Sequence, residues 1–231
     1  MEIEKAKERA RVAAVNAAIK IVANMGRDIT LGLGTGSTSA MFIQALSKTA
    51  GADTVKAVVP TSYQSEEAAA EAGFRIAYLR EVRRPDVYVD SFDQCDSQGN
   101  LIKGGGGAVT REKLLMMLSR RVILIGEEQK LVDKLRLPVP VEIVPFALHG
   151  LLTIISEMGW RPMIRPASGK AGPVVTDNGN LMLDVDVGVI ENPSEIELRL
   201  RLIPGVVEVG VCPRRGYQVI IGMSDGTTKS I

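Results

Sequence analysis

Three times in its first 120 residues this chain passes from a short apolar run, through a turn rich in glycine, serine or proline, into a helical pattern. The segments are DITLGLGTGSTSAMFIQALSK, VKAVVPTSYQSEEAAAEAGF and DVYVDSFDQCDSQGNLIKGGGGAVTREK, the last leading into REKLLMMLSR. Strands that alternate with helices are joined by crossovers and pair in parallel, which covers both faces of the sheet with helix. RIAYL reads as a further strand, and RVILIG and EEQKLVDKL continue the alternation. Ahead of them MEIEKAKERARVAAVNAAIKIV alternates charge with alanine and predicts an amphipathic helix over roughly residues 3–24, ended by Met25-Gly26. It does not read as a signal peptide, because no continuous apolar segment follows a basic start.

The rhythm changes at LPVPVE, residues 137–142. From there VEIVPF reads as strand, ALHGLLTIISEM as helix, RPMIR and VVTDNGNLMLDV as strands, NPSEIELRLRL as helix and GVVEVGVC as strand. That order, β-α-β-β-α-β, is the signature of a ferredoxin-like unit. Within it TDNGN marks a turn, since Asn178-Gly179 favours positive φ. The last segment, YQVIIGMSDGTTKSI, adds a strand that returns to the first sheet. The expected fold is α/β: a Rossmann-like open parallel sheet with helices on both faces, formed by 1–136 and 213–231. A smaller α+β ferredoxin-like lid covers 137–212.

Composition narrows the function. Lys and Arg number 28 against 27 Asp and Glu, a net charge of +1, which argues against a nucleic-acid or membrane surface. An anionic ligand must then be met by a local site. No apolar run is long enough to span a bilayer. There is one histidine, His149, in an apolar helix, and two cysteines, Cys95 and Cys212, far apart in the chain. A Cys/His zinc site and a Ser-His-Asp triad are therefore disfavoured, and free thiols fit a reducing cytoplasm.

The chemistry-bearing residues fall at the ends of the predicted strands, the default ligand site of an open α/β sheet. GLGTGST, Gly32–Thr38, lies between strand and helix; its glycines let backbone N–H groups approach an anion at a helix N-terminus, and Ser37 and Thr38 add hydroxyls. No lysine follows as in a Walker A loop, and the dinucleotide fingerprint is incomplete. PTSYQSEE, Pro60–Glu67, reads as a capping box of Ser or Thr followed by Glu, and also as a second wall beside GLGTGST. Asp90 and Asp93 suit a metal, acid–base work or turn capping, although two carboxylates are too few for a metal. Lys103 before GGGG can set an ammonium beside backbone donors in a small oxyanion cavity. Glu112, in the first turn of the next helix, is either a solvated helix start or a general base with a pKa raised by partial burial. The residues alone leave both readings open.

Together, GLGTGST, VPTSYQS, VDSFDQ, NLIKGGGGAVTREK, LPVPVEIVPFA, VVTDNGNLMLDV and IPGVVEVG resemble, in order and over nearly the whole chain, the type A ribose-5-phosphate isomerases. The resemblance implies a cofactor-free, metal-free aldose–ketose isomerase. Its reaction interconverts D-ribose 5-phosphate and D-ribulose 5-phosphate in the non-oxidative pentose phosphate pathway. It implies Glu112 as general base through a cis-enediolate. Lys103, with the backbone of Gly104 and Gly105, stabilises the negative oxygen. Asp90 and Asp93 hold sugar hydroxyls, with Asp90 assisting ring opening. Thr35, Gly36, Ser37 and Thr38 form the substrate-binding loop, Lys130 reaches the phosphate, and Arg11 aligns with a lysine of the family's first helix. It further implies a cytoplasmic homodimer or homotetramer with no nucleic-acid or membrane partner.

The chain departs from the family where Asp-Gly-Ala-Asp-Glu is expected and Asp90-Ser91-Phe92-Asp93-Gln94 stands. Both aspartates survive. Phe92 is bulkier, and Gln94 removes a negative charge. The alternative this leaves is a catalytically impaired sugar-phosphate-binding paralogue. Retention of Asp90, Asp93, Lys103 and Glu112 argues against it, because a sensor has no need of the base. An aminosugar-phosphate deaminase would want a histidine in the pocket. A CoA transferase would carry its glutamate in a different setting.

Overall fold

The structure, a computed structural model, describes residues 2–231, and of Glu2 the backbone alone. Its elements begin α1 (Glu2–Ala23), β1 (Ile29–Leu33), α2 (Ser37–Leu46), β2 (Val55–Pro60), α3 (Tyr63–Glu71), β3 (Val87–Ser91), β4 (Gln94–Asp96), β5 (Leu101–Ile102) and α4 (Val109–Leu118). They continue β6 (Arg121–Glu127), β7 (Leu131–Val132), β8 (Val139–Ile143), α5 (Leu148–Glu157), β9 (Arg161–Ile164) and β10 (Leu181–Asp186). The chain closes with α6 (Pro193–Arg201), β11 (Val206–Val209), β12 (Val211–Cys212), β13 (Gln218–Gly222) and β14 (Thr228–Ser230). It divides into two compact units.

The first unit takes the chain up to Ser91, Arg111–Leu131 and Gly216–Ile231. Its sheet has the order β14-β13-β6-β3-β1-β2, parallel except for the β13–β14 hairpin. The central strands are buried on both faces, as a sheet covered with helix on each side requires: Leu31, Leu33, Val87, Val89, Ile123 and Ile125 on one face, and Tyr88 and Leu124 on the other. Helix α1 lays Ala10, Ala14, Ala18 and Val22 inward at four-residue spacing. Their smallness lets the helix sit close: a Cβ on Gly222 of β13 would lie 1.8 Å from the Ala10 carbonyl oxygen.

The second unit takes Phe92–Thr110 and Val132–Arg215. Its four-stranded sheet is antiparallel in the order β11-β8-β10-β9, the ferredoxin-like arrangement. One face carries Val139, Val141, Ile143, Leu183 and Val185, which pack with Leu151 and Ile155 of α5 and Leu200 of α6. By the two-residue alternation of a strand the other face carries Pro140, Glu142, Met182 and Asp184. A smaller sheet runs β12-β5-β4-β7.

Four expected elements differ. RIAYL is not a strand: it meets β2 at a single bridge, Val58 with Ile76, before Glu81 N–H turns back to the Tyr78 carbonyl. EEQKLVDKL makes one 3-10 turn, Glu128–Lys130, and the two-residue β7 instead of a helix. GVVEVGVC is split at Gly210 into β11 and β12, where the chain passes from pairing with β8 to pairing with β5. Gly210 N–H donates to the Pro140 carbonyl and its carbonyl accepts from Lys103 N–H, an approach that leaves no room for a Cβ, which would lie 2.2 Å from the Lys103 carbonyl oxygen. The carboxyl-terminal segment supplies two strands where one was expected. His149 is exposed in the first turn of α5, and Trp160 packs under Arg199, whose guanidinium carbon is 4.3 Å from the ring centroid.

Candidate active site

In the first unit the site grows out of β3. Tyr88 and Asp90 are two apart and so share one face of the strand. Both are fully buried, and the Tyr88 hydroxyl donates to Asp90 Oδ2. Asp90 Oδ1 accepts from the Ser91 N–H at 2.7 Å and from Ser39 Oγ at 3.2 Å. Burial, reinforced by the charges of Asp90 and Glu112, pushes the Tyr88 phenol well above its ordinary value, so it remains a donor.

The glycines of GLGTGST serve this arrangement first. Gly32 pairs with Tyr88, and a Cβ on it would come within 2.9 Å of the ring; a Cβ on Gly34 would lie 1.8 Å from Asp90 Oδ1. Gly36, at φ +105°, is the residue that turns the chain into α2. Its N–H donates to Gln64 Oε1 at 2.8 Å. Thr35 Oγ1 lies 2.9 Å from Thr61 Oγ1 and donates to Ser62 Oγ at 2.8 Å, so the GLGTGST and PTSYQSEE turns lie against each other. PTSYQSEE is a capping box as well, closed by Ser62 and Ser65 and not by a glutamate. Ser37 opens α2 and is exposed, while Thr38 is buried.

Glu112 lies in the first turn of α4 and is only 3% exposed, which removes the reading of a solvated helix start. Lys130 and Arg11 meet on one carboxylate: Lys130 Nζ is 3.7 Å from Glu127 Oε2, and Arg11 Nη2 is 3.7 Å from Glu127 Oε1. Glu127, the last residue of β6, is 2% exposed.

In the second unit Lys103 is 2% exposed and its backbone is fixed, its N–H donating to the Gly210 carbonyl at 2.8 Å. The Gly105 N–H donates to Asp93 Oδ2 at 2.8 Å, so this backbone donor is committed to a carboxylate. Gly104 closes a turn by accepting from the Gly107 N–H at 3.0 Å. The residues that depart from the family pattern have structural roles. Phe92 is buried, and the Gln94 side-chain oxygen accepts from the N–H groups of Arg136 and Leu137 at 2.8 and 3.0 Å. Glu142, 0% exposed, accepts from Thr110, Thr176, Asn178 and Asn180. Among the described residues no three His, Cys, Asp or Glu side chains are placed to hold a metal ion, and no helix is long and apolar enough to cross a membrane.

Tyr88, Glu127 and Glu142 went unremarked in the sequence, and Gln94 stood out only as a lost charge. Tyr88 had a signal, a hydroxyl two residues before Asp90 on a strand. The others depend on contacts 32 or more positions away or on a partner in another element.

Residues 57–226 match the family described as ribose 5-phosphate isomerase A (phosphoriboisomerase A). The chain is 43% identical over 212 residues to ribose-5-phosphate isomerase A of Methanothermobacter thermautotrophicus, covering 91% of this chain and 93% of the relative. It is 42% identical over 202 residues to that of Methanosarcina acetivorans, covering 87% and 86%. A solved D-ribose-5-phosphate isomerase in complex with phospho-erythronic acid superimposes with TM-score 0.89 at 36% identity, covering 96% of each chain. The ribose 5-phosphate isomerase A of Methanocaldococcus jannaschii does so with TM-score 0.86 at 34% identity, covering 95% of this chain and 97% of its own.

Proposed function

The chain belongs to the ribose 5-phosphate isomerase A family, and on that premise we propose that it interconverts D-ribose 5-phosphate and D-ribulose 5-phosphate. The observation that carries the reading is the burial of Glu112, a carboxylate withdrawn from water in the first turn of α4. In this reading Glu112 takes the C2 proton of the open-chain aldose, leaving an enediolate. The hydroxyl proton on O2 passes to O1, and Glu112 returns its proton to C1, so C1 becomes the alcohol and C2 the ketone. General-base action of this kind contributes roughly 10²–10⁴-fold. Lys103 and the glycine loop offset the charge that develops on oxygen, each donor contributing about 10²–10³-fold. Gly104 takes part through its backbone, and Gly105 through its hold on Asp93.

Asp90 and Asp93 engage the sugar hydroxyls, with Asp90 assisting ring opening. Tyr88 and Ser39 support Asp90 by fixing its carboxylate. Thr35, Gly36, Ser37 and Thr38 bind at the N-terminus of α2, where no acidic side chain occupies the first turn. Lys130 and Arg11 add cationic charge for the phosphate, and phosphate binding remote from C1 and C2 holds the substrate in register. The reaction belongs to the non-oxidative pentose phosphate pathway and uses no metal or cofactor. Exposed Phe146, Leu198 and Leu202 support a homo-oligomer.

The test is formation of ribulose 5-phosphate from ribose 5-phosphate by purified protein in the presence of EDTA. Robust turnover is expected. Absence of turnover, with ribose 5-phosphate still raising the melting temperature, would replace the isomerase with a binding protein.

A further inference from the structure

Arg165 uses its whole guanidinium within the second unit. Nε donates to Asp184 Oδ2 at 2.9 Å and Nη2 to Asp184 Oδ1, a bidentate pair. Nη1 donates to the carbonyl oxygens of Gly104 at 2.9 Å and Gly105 at 3.2 Å. The arginine is itself held: its N–H donates to the Met182 carbonyl at 3.0 Å, and its carbonyl accepts from Val174 N–H at 2.9 Å.

The consequence follows from the planarity of the trans peptide, in which C=O of one residue and N–H of the next point in opposite directions. Among the described residues there are no cis peptide bonds. Drawing the Gly104 carbonyl to Arg165 turns the Gly105 N–H away from it, and that N–H is found on Asp93 Oδ2. Drawing the Gly105 carbonyl to the same nitrogen turns the Gly106 N–H away likewise. Two successive donors thus leave the loop on the side opposite the arginine.

We propose that Arg165, braced by Asp184, is a positioning residue for the reaction. It fixes the peptide planes on either side of Gly105, and so aims the Gly105 N–H at Asp93 and the Gly106 N–H towards the charge that develops on the substrate. The proposal rests on the isomerase reading above. Lysine cannot replace Arg165, because a single ammonium cannot brace against both carboxylate oxygens and still reach two carbonyls in fixed geometry.

The experiment compares wild type, Arg165→Met, Arg165→Lys and Asp184→Asn. It reads kcat and KM for ribose 5-phosphate, inhibition by phospho-erythronic acid, melting temperature and rescue by guanidinium ion. The acid presents two coplanar carboxylate oxygens, as an enediolate does. For Arg165→Met the expected result is a fall in kcat of about 10²-fold, the scale of a misplaced catalytic geometry, with KM changed by less than about 3-fold. Affinity for phospho-erythronic acid should fall in parallel with kcat, and millimolar guanidinium should restore part of it. Arg165→Lys should resemble Arg165→Met.

A folded Arg165→Met with kcat and inhibitor affinity within about 3-fold of wild type, or a loss confined to KM, would overturn the proposal. If Arg165→Met does not fold, Asp184→Asn decides: it keeps the arginine but loosens its brace, and an unchanged kcat would count against the proposal. Failure of the parent reading looks different. The wild type would itself be inactive, and the dependence of phospho-erythronic acid binding on Arg165 would still test the positioning role.

Discussion

The Tyr88 hydroxyl donates to Oδ2 of Asp90, two residues further along β3, so that a buried proton donor and a buried carboxylate occupy one face of one strand. Removing the donor takes away one of the hydrogen bonds on Asp90, which also accepts from the Ser39 hydroxyl and the Ser91 N–H. A buried charged acceptor that loses a partner costs about 1–3 kcal/mol. Tyr88→Phe should therefore lower kcat/KM roughly 10- to 100-fold, on the scale of that loss. The phenol is held well above its ordinary pKa by burial and by the charges of Asp90 and Glu112. The wild-type rate should accordingly show no loss from phenol ionisation up to about pH 10. Steady-state kinetics across pH check both points. Unchanged kinetics in the variant would show that the hydroxyl does not orient Asp90.

Gly34 and Gly36 are both glycines of one loop but answer different demands, and alanine should distinguish them. A Cβ on Gly34 would lie 1.8 Å from Asp90 Oδ1, whereas one on Gly36 meets no atom within 4 Å. Gly34→Ala must displace the carboxylate, and overpacking of this kind costs about 1–3 kcal/mol. A displaced catalytic group costs about 10²-fold in rate. Gly36→Ala meets only backbone strain at φ +105°, of order 1–3 kcal/mol. Melting temperature and kcat for the pair provide the check. Equal kcat in both variants would refute a special role for the space at Gly34.

The sheet was legible because its strands are short, mainly apolar runs that lead into turns of glycine, proline or polar residues, and because the crossovers carry helical patterns. The ferredoxin-like order was legible for the same reason. EEQKLVDKL was misleading: its charge spacing suits a helix, but Glu127 is drawn inward to Arg11 and Lys130, and one 3-10 turn follows. Of the candidate residues, Asp90 and Glu112 in the first unit and Asp93 and Lys103 in the second stood out as polar residues in an apolar or glycine setting. Arg165 could not, since one arginine among many becomes distinctive only when its guanidinium is seen on two carbonyls about sixty residues away. Gln94 was read as a lost charge. Its position shows an amide oxygen receiving two backbone N–H groups, a task that needs an acceptor and not a charge.

Glu112→Gln keeps shape and burial and removes basicity. Turnover should fall by at least the roughly 10²–10⁴-fold typical of a general base, while ribose 5-phosphate still raises the melting temperature. The variant should also cease to exchange the C2 proton of bound substrate with deuterium from solvent, which NMR detects independently of product formation. Near-normal exchange would move the role of base to another carboxylate.

Glu142 ties the TDNGN turn and Thr110 to β8 and should make stability depend on pH. Burial alone would raise its pKa, but hydrogen bonds from Thr110, Asn178, Asn180 and Thr176 together outweigh burial and hold the carboxyl below its ordinary value. A folded-state pKa below the unfolded one means that the unfolded chain binds the proton first. Stability from this group is then fully present above the unfolded value of about 4.3 and is lost as pH falls through the folded value. Glu142→Gln removes the ionised acceptor and should cost about 1–3 kcal/mol at neutral pH. The gap in melting temperature between wild type and variant should be widest from about pH 6 upward and should close in acid, where wild-type Glu142 takes up its proton. Melting curves from neutral to acid pH read this directly. A gap that stays constant, or that widens in acid, would mean that the ionised form of Glu142 is not what the four donors stabilise.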